Sequence, residues 1–97
     1  MITYTPPKTE DIQRLREELG YTSNQMAELA SVAAGSQWRK YMGGAAPRDL
    51  SLHMLFFIAA RLTLSPDELR RVADKMSEIG AHVDGDAVAR HFEPAQD

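Results

Sequence analysis

TSNQMAELASVAAGSQWRKYMGGAAP, residues 22–47, is the stretch around which the rest of the chain is organised. Its first helix starts at a capping box: Thr22 accepts from the Gln25 amide, and the Gln25 side chain reaches back to the Thr22 amide. Met26, Ala27, Leu29 and Ala30 recur at helical spacing and need a core to face. The small residues Ser31-Val32-Ala33-Ala34-Gly35 then interrupt the pattern. Ser36 is placed to cap a second helix, on which Trp38 and Tyr41 lie three apart and share a face. Gly43-Gly44 supply the positive φ angles that close that helix, and Pro47 forbids its resumption. Two helices this short do not stabilise themselves, so the flanks must hold them.

This is the arrangement of a helix-turn-helix, and both flanks offer support. Upstream, Pro6-Pro7 makes residues 1–8 an extended arm. Thr9 is the expected N-cap of helix 1, with Glu10 and Asp11 in its first turn, Ile12, Leu15 and Leu19 on its apolar stripe, and Gly20 as its stop. Downstream, Ser51 caps a fourth helix on which Leu52, Leu55, Phe56, Ala59 and Leu62 form one face at i, i+3, i+4, i+7 spacing. Met54, Phe57 and Ile58 cover much of its remaining surface, leaving only His53 and Arg61 clearly polar. A helix apolar all round is buried all round. Its second face therefore needs helix 5 or a second subunit, and Met54, Phe57 and Ile58 are the expected dimer interface.

Ser65-Pro66-Asp67-Glu68 is the clearest helix start: an N-cap, a proline at the first helical position and a capping-box acid. Leu69, Val72, Ala73, Met76 and Ile79 line one face of this fifth helix until Gly80. Arg70, Arg71, Asp74, Lys75 and Glu78 form a solvated face with opposite charges at i, i+4. The chain thus divides into an arm (1–8), an all-α domain (9–80) and a C-terminal tail (81–97) with one short helical turn near Ala87–Phe92.

Composition narrows the function. The 97 residues contain no cysteine, which excludes disulfides, thiolate catalysis and cysteine-based zinc sites. No basic region precedes an apolar run at the N-terminus and no run reaches membrane-span length, so a cytoplasmic protein is expected. The net charge of −3 argues against a nucleic-acid partner, but its distribution softens the objection. Residues 1–50 carry six basic and six acidic groups, and residues 51–97 five basic against eight acidic. Between Leu29 and Arg48 lie Arg39, Lys40 and Arg48 and no acid. A small positive face on an acidic body suits a binder with weak non-specific affinity.

LREELGYTSNQMAELA resembles helix 1 and the scaffold helix of the Cro and phage-repressor-like (xenobiotic-response-element type) helix-turn-helix family, WRKYMGG the end of its recognition helix, and ARLTLSPDEL its junction of helices 4 and 5. The resemblance runs from Leu15 to about Leu69. It implies a compact five-helix lambda-repressor-like domain whose third helix enters the DNA major groove, usually as a two-fold dimer. SVAAGSQW is one residue longer than the family pattern, and Ser31 stands where the turn glycine is usual. One extra residue rotates a helical position by about 100°.

In this motif the start of the recognition helix reads base edges and its neighbours grip phosphate. Gln37 is the expected base reader, because its amide pairs bidentately with adenine. Arg39 would read guanine and Lys40 would meet phosphate. Asn24, Gln25 and Ser36 are candidate phosphate contacts near helix N-termini, and Arg48 reaches the flanking backbone. Against this, Gln25 and Ser36 serve equally as caps alone, and Trp38 and Tyr41, which would suit a stacking platform, share a face that reads as core. His82, Asp84, Asp86 and His91 match no zinc or calcium spacing. No metal, cofactor or enzyme activity is expected.

The expected function is that of a sequence-specific regulator of double-stranded DNA, a homodimeric repressor with recognition helices about 34–36 Å apart. Two alternatives stand beside it. One is an antitoxin that represses its own operon and uses its acidic half to cover a toxin or phage protein. The other is a protein-interaction module that has lost DNA binding.

Overall fold

A computed structural model of the chain describes residues 1–43 and 47–90. Among them lie six α-helices and no strand: α1 (Thr9–Leu19), α2 (Ser23–Ala30), α3 (Gly35–Trp38, continued by a 3₁₀ turn over Arg39–Tyr41), α4 (Leu52–Thr63), α5 (Pro66–Ile79) and α6 (Gly85–Ala89). None is long and apolar enough to cross a membrane.

Most helix starts follow their local chemistry. The Thr22 hydroxyl accepts the Gln25 amide at 3.1 Å and the Gln25 side chain accepts the Thr22 amide at 2.8 Å. Ser51 caps α4, and Ser65 with Glu68 closes the box that opens α5. Gly20 ends α1 at φ 71, a left-handed geometry that only glycine adopts without a Cβ penalty. At α1 the cap is Lys8 rather than Thr9, because the Asp11 carboxylate reaches back to accept the Lys8 amide. The chain after α3 turns with Met42 at the C-cap and Gly43 outside the positive-φ region, so Gly43 does not supply the expected left-handed stop. Gly44 lies outside the described residues, as do His91 and Phe92. The helical turn expected near Ala87–Phe92 forms earlier, as α6, where Asp84 accepts the amides of Asp86 and Ala87.

The core gathers Ile12 of α1, Met26, Ala27, Leu29 and Ala30 of α2, Trp38 of α3, Leu50 and Ile58, with Tyr21 between α1 and α2. The arm is fastened to it: the Tyr4 hydroxyl donates to the Leu50 carbonyl at 2.6 Å. Burial and then the nearby Asp49 carboxylate hold the Tyr4 phenol above its ordinary pKa.

Helix α4 departs most from its sequence pattern. Its inward face is not the whole set Leu52, Leu55, Phe56, Ala59 and Leu62, of which Leu55 does pack half-buried against the core. Phe56 is 72% exposed and Leu62 39%, whereas Ile58 and Arg61 are buried. The reason is Arg61. Its Nη1 donates to the Glu28 and Leu29 carbonyls at 2.8 and 3.0 Å, at the C-terminal end of α2. Its Nε and Nη2 donate to the Val88 and Ala87 carbonyls, both at 3.1 Å, at the C-terminal end of α6. The last carbonyls of a helix have no partner within it and carry the negative end of its dipole, so one guanidinium serves two helix ends. Arg61 also lies 5.4 Å from the centre of the Phe57 ring, one turn back. Burial, followed by the neighbouring Arg90 cation, pulls the guanidinium below its ordinary pKa, and Glu28 opposes them.

This rotation takes Ile58 out of the surface expected to form a dimer interface. Ile58 is 1% exposed and belongs to the core, Met54 packs against it half-buried, and Phe57 lies half-buried beside Arg61. The apolar surface left outside is instead Phe56 and Leu62 on α4 with Val72, Met76 and Ile79 on α5. On the solvated side of α5, Arg70 pairs with Asp67 three residues back and with Asp86 of α6, in place of the i, i+4 pairing.

Replacing Arg61 strands carbonyls of two helices at once. Arg61→Leu is expected to cost about 3 kcal/mol or more in urea unfolding, and Arg61→Lys less, since an ammonium reaches fewer of the same acceptors. Equal stability of Arg61→Leu and the parent chain would show the clamp to be dispensable.

Candidate nucleic-acid interface

Four residues, Ser31 to Ala34, separate α2 from α3. Ser31 takes φ 59, the only non-glycine positive φ among the described residues, and lets the chain turn sharply off α2. The Ser31 and Val32 amides then return to the Glu28 and Ala27 carbonyls, at 3.1 and 2.9 Å. Ala34, extended at φ −159, occupies the N-cap of α3 and has no side chain with which to cap it. Ser36 is therefore not the cap. It lies one residue inside the helix, and exposed.

The capping comes from across the turn. Asn24 Oδ1, on the first turn of α2, accepts the Gly35 amide at 3.1 Å. Gly35 is buried, and a Cβ there would overlap that same oxygen. Glycine at 35 thus lets the two helix starts approach with the Asn24 amide in its bonded position, and a larger residue would have to displace that amide. Its oxygen is committed inward, so its NH₂ group is left to donate outward. Gln25 is in a different position, since its side-chain oxygen is committed to the α2 cap.

The other half of α3 points inward. Trp38 is fully buried, and the Tyr41 ring packs on it with centroids 6.1 Å apart at a tilt of 44°. This pair is core, not a stacking platform. The Trp38 Nε1 is buried without a hydrogen-bond partner, a polar cost that the contacts of the ring outweigh.

With Trp38 inward, Ser36, Arg39 and Lys40 are left exposed, lining one shallow depression together with Met42 and Gly43. The exposed Arg48 joins them, because its amide donates to the Lys40 carbonyl at 2.9 Å. No ion pair among the described residues includes Arg39, Lys40 or Arg48; the three found involve Arg14 and Arg70. Gln37 is half-buried on α3. Arg39 also borders a second hollow, toward Gln13, Ser23 and Arg16. Arg16 is already bound to the Tyr21 carbonyl at 2.9 Å, which leaves Gln13 and Ser23 as polar neighbours not singled out by sequence. The place of Ser23 at the start of α2 was the available signal; for Gln13 there was none.

The structure thus brings together Ser36, Arg39, Lys40 and Arg48, with Asn24 at the head of the same helix pair. Among the described residues no group of three His, Asp or Glu side chains is arranged to hold a metal. Compared with protein-family models, curated proteins and solved structures, the chain matches none.

The Asn24–Gly35 contact is testable without any ligand. Gly35→Ala is expected to cost about 1–3 kcal/mol through overpacking. Asn24→Ala removes the clashing oxygen, so the double variant should be less destabilised than the sum of the single changes. Strict additivity in denaturant unfolding would show that the two residues do not meet.

Proposed function

We propose that the chain is a sequence-specific double-stranded DNA-binding protein of lambda-repressor-like helix-turn-helix type, acting as a dimeric transcriptional repressor. The observation that carries this reading is the exposed set Arg39, Lys40 and Arg48, in no ion pair among the described residues and gathered beside α3 on an otherwise acidic chain. Cations without internal partners are available to phosphate, and the release of counterions that follows supplies affinity. Asn24 and Ser36 add hydrogen-bond donors at the rim of the same surface, and Gln37 is the candidate base reader. Gln25, held by the cap of α2, shapes the surface more than it touches DNA.

A second subunit fits this reading better than a monomer does. Val72, Met76 and Ile79 form an exposed stripe on α5, at 47%, 40% and 77% exposure, and α5 is otherwise anchored by Leu69 and Ala73. The stripe is flanked by Arg71, Lys75 and Glu78, so two antiparallel copies of α5 centred on it set basic residues of one against Glu78 of the other. A toxin or other protein seated on the same stripe would replace the self-association.

Three outcomes test the proposal. Bound to the DNA upstream of its own gene, a dimer making six phosphate contacts should lose about a thousandfold in affinity between 50 and 200 mM salt. Lys40→Ala should weaken binding to all sequences and reduce the salt slope, whereas Gln37→Ala should lose about 1–3 kcal/mol of discrimination at one base pair. No binding at low salt, or unchanged binding by both variants, would sink the DNA reading. Separately, Ile79→Glu should sediment as a folded monomer and Phe57→Glu should instead lose stability. A parent chain that is already monomeric at micromolar concentration would refute the α5 interface.

A further inference from the structure

A cleft of about 630 Å³ opens between the turn after α2 and helix α6. This size lies within the range of small-molecule sites, about 300–1,000 Å³. Val32 and Ala33 stand on one wall, Val83 and Val88 on the other, and Arg61 lines it between them. Most polar groups around it are already committed. Arg61 holds four carbonyls, and Asp84 accepts the first amides of α6.

Glu28 and Arg90 differ. Both line the cleft and are exposed, and neither takes part in an ion pair among the described residues. Their backbones are tied to the same guanidinium. The Glu28 carbonyl accepts from Arg61 directly, and the Arg90 amide donates to the Ala87 carbonyl that Arg61 also holds. One carboxylate and one guanidinium therefore line the same recess, beside Val32, Ala33, Val83 and Val88. A simple anion would be repelled by Glu28, and a simple cation by Arg90. A neutral apolar molecule would leave both groups unpaired. The complementary ligand carries both charges close together on an apolar body.

We propose that the cleft binds a free apolar amino acid, its ammonium on Glu28, its carboxylate on Arg90 and its side chain against Val32, Val83 and Val88. Such a ligand bridges α6 and the turn that leads into α3, two elements otherwise joined through Arg61. Its effect on DNA affinity rests on the DNA-binding reading; its binding does not.

The first probe is L-leucine, titrated into the full chain and followed by methyl NMR and calorimetry. Saturable shifts of the Val32, Val83 and Val88 methyls are expected. Isocaproate, which lacks the amine, and isoamylamine, which lacks the carboxylate, should each bind about tenfold or more weakly. Glu28→Gln should abolish the preference for leucine over isocaproate, and Arg90→Gln the preference over isoamylamine. Both variants replace exposed side chains, and unchanged thermal melting would verify their folding. No saturation by about 10 mM leucine, equal affinity for the three probes, or shifts confined to other methyls would overturn the proposal. Leucine binding without DNA binding would remove only the regulatory reading of the first site, and DNA binding without leucine binding only this one.

Discussion

Two short helices end where a single guanidinium waits for them. Eight residues in α2 and five in α6 leave a large share of their carbonyls without intrahelical partners. Arg61 supplies donors to four carbonyls at these two ends from one planar group, with a fixed charge that the negative helix ends favour. The same bonds set the rotation of α4. Once Arg61 points inward, Ile58 and Phe57, three and four residues before it, must lie on the same side, and Phe56 is carried outward. The core, the exposed apolar surface and the docking of α6 all follow from that one placement.

The α2–α3 unit depends on a second constraint of the same kind. Ala34 cannot cap α3, so the first amide of that helix is served from α2 by Asn24, and a side chain at 35 would displace the Asn24 oxygen that serves it. Trp38 then anchors α3 from beneath. A helix of four residues has no independent stability. Its orientation, and with it the direction in which Arg39 and Lys40 project, is imposed by Asn24 above and Trp38 below.

How far the fold is legible in the sequence depends on how far apart the partners lie. The boxes at Thr22–Gln25 and Ser65–Glu68 and the Ser51 cap join residues three apart, and reading the residue types is sufficient to place them. Trp38 and Tyr41 as core follow from helical spacing for the same reason. The Gly35–Asn24 bond spans 11 residues, so assigning the cap to Ser36 on local grounds misses it. The contacts of Arg61 span 26 to 33 residues. No periodicity shows that an arginine on an apolar helix is buried against two helix ends, and placing it in solvent brings Phe56 and Leu62 inward by mistake. The basic candidates Arg39, Lys40 and Arg48 are legible because they need only be exposed and unpaired. The exposure of Met54, Phe57 and Ile58, expected at a dimer interface, is not legible in this way, since it depends on the rotation of α4.

The charge balance ties the two halves of the functional proposal together. A single copy presents Arg39, Lys40 and Arg48, outside every ion pair among the described residues, on a chain whose net charge is −3, so attraction to phosphate is local and small while the remainder of the body is repelled. One such contact binds any DNA weakly. Two copies held in fixed relation make the second contact intramolecular and multiply the affinity for correctly spaced half-sites, while misplaced sites gain nothing. An acidic body then sharpens discrimination, because it suppresses the non-specific background that a basic protein would carry. On the DNA-binding reading, the exposed stripe of α5 and the narrow basic edge of α3 are therefore parts of one device: the edge is too weak to act alone, and the stripe is what would double it.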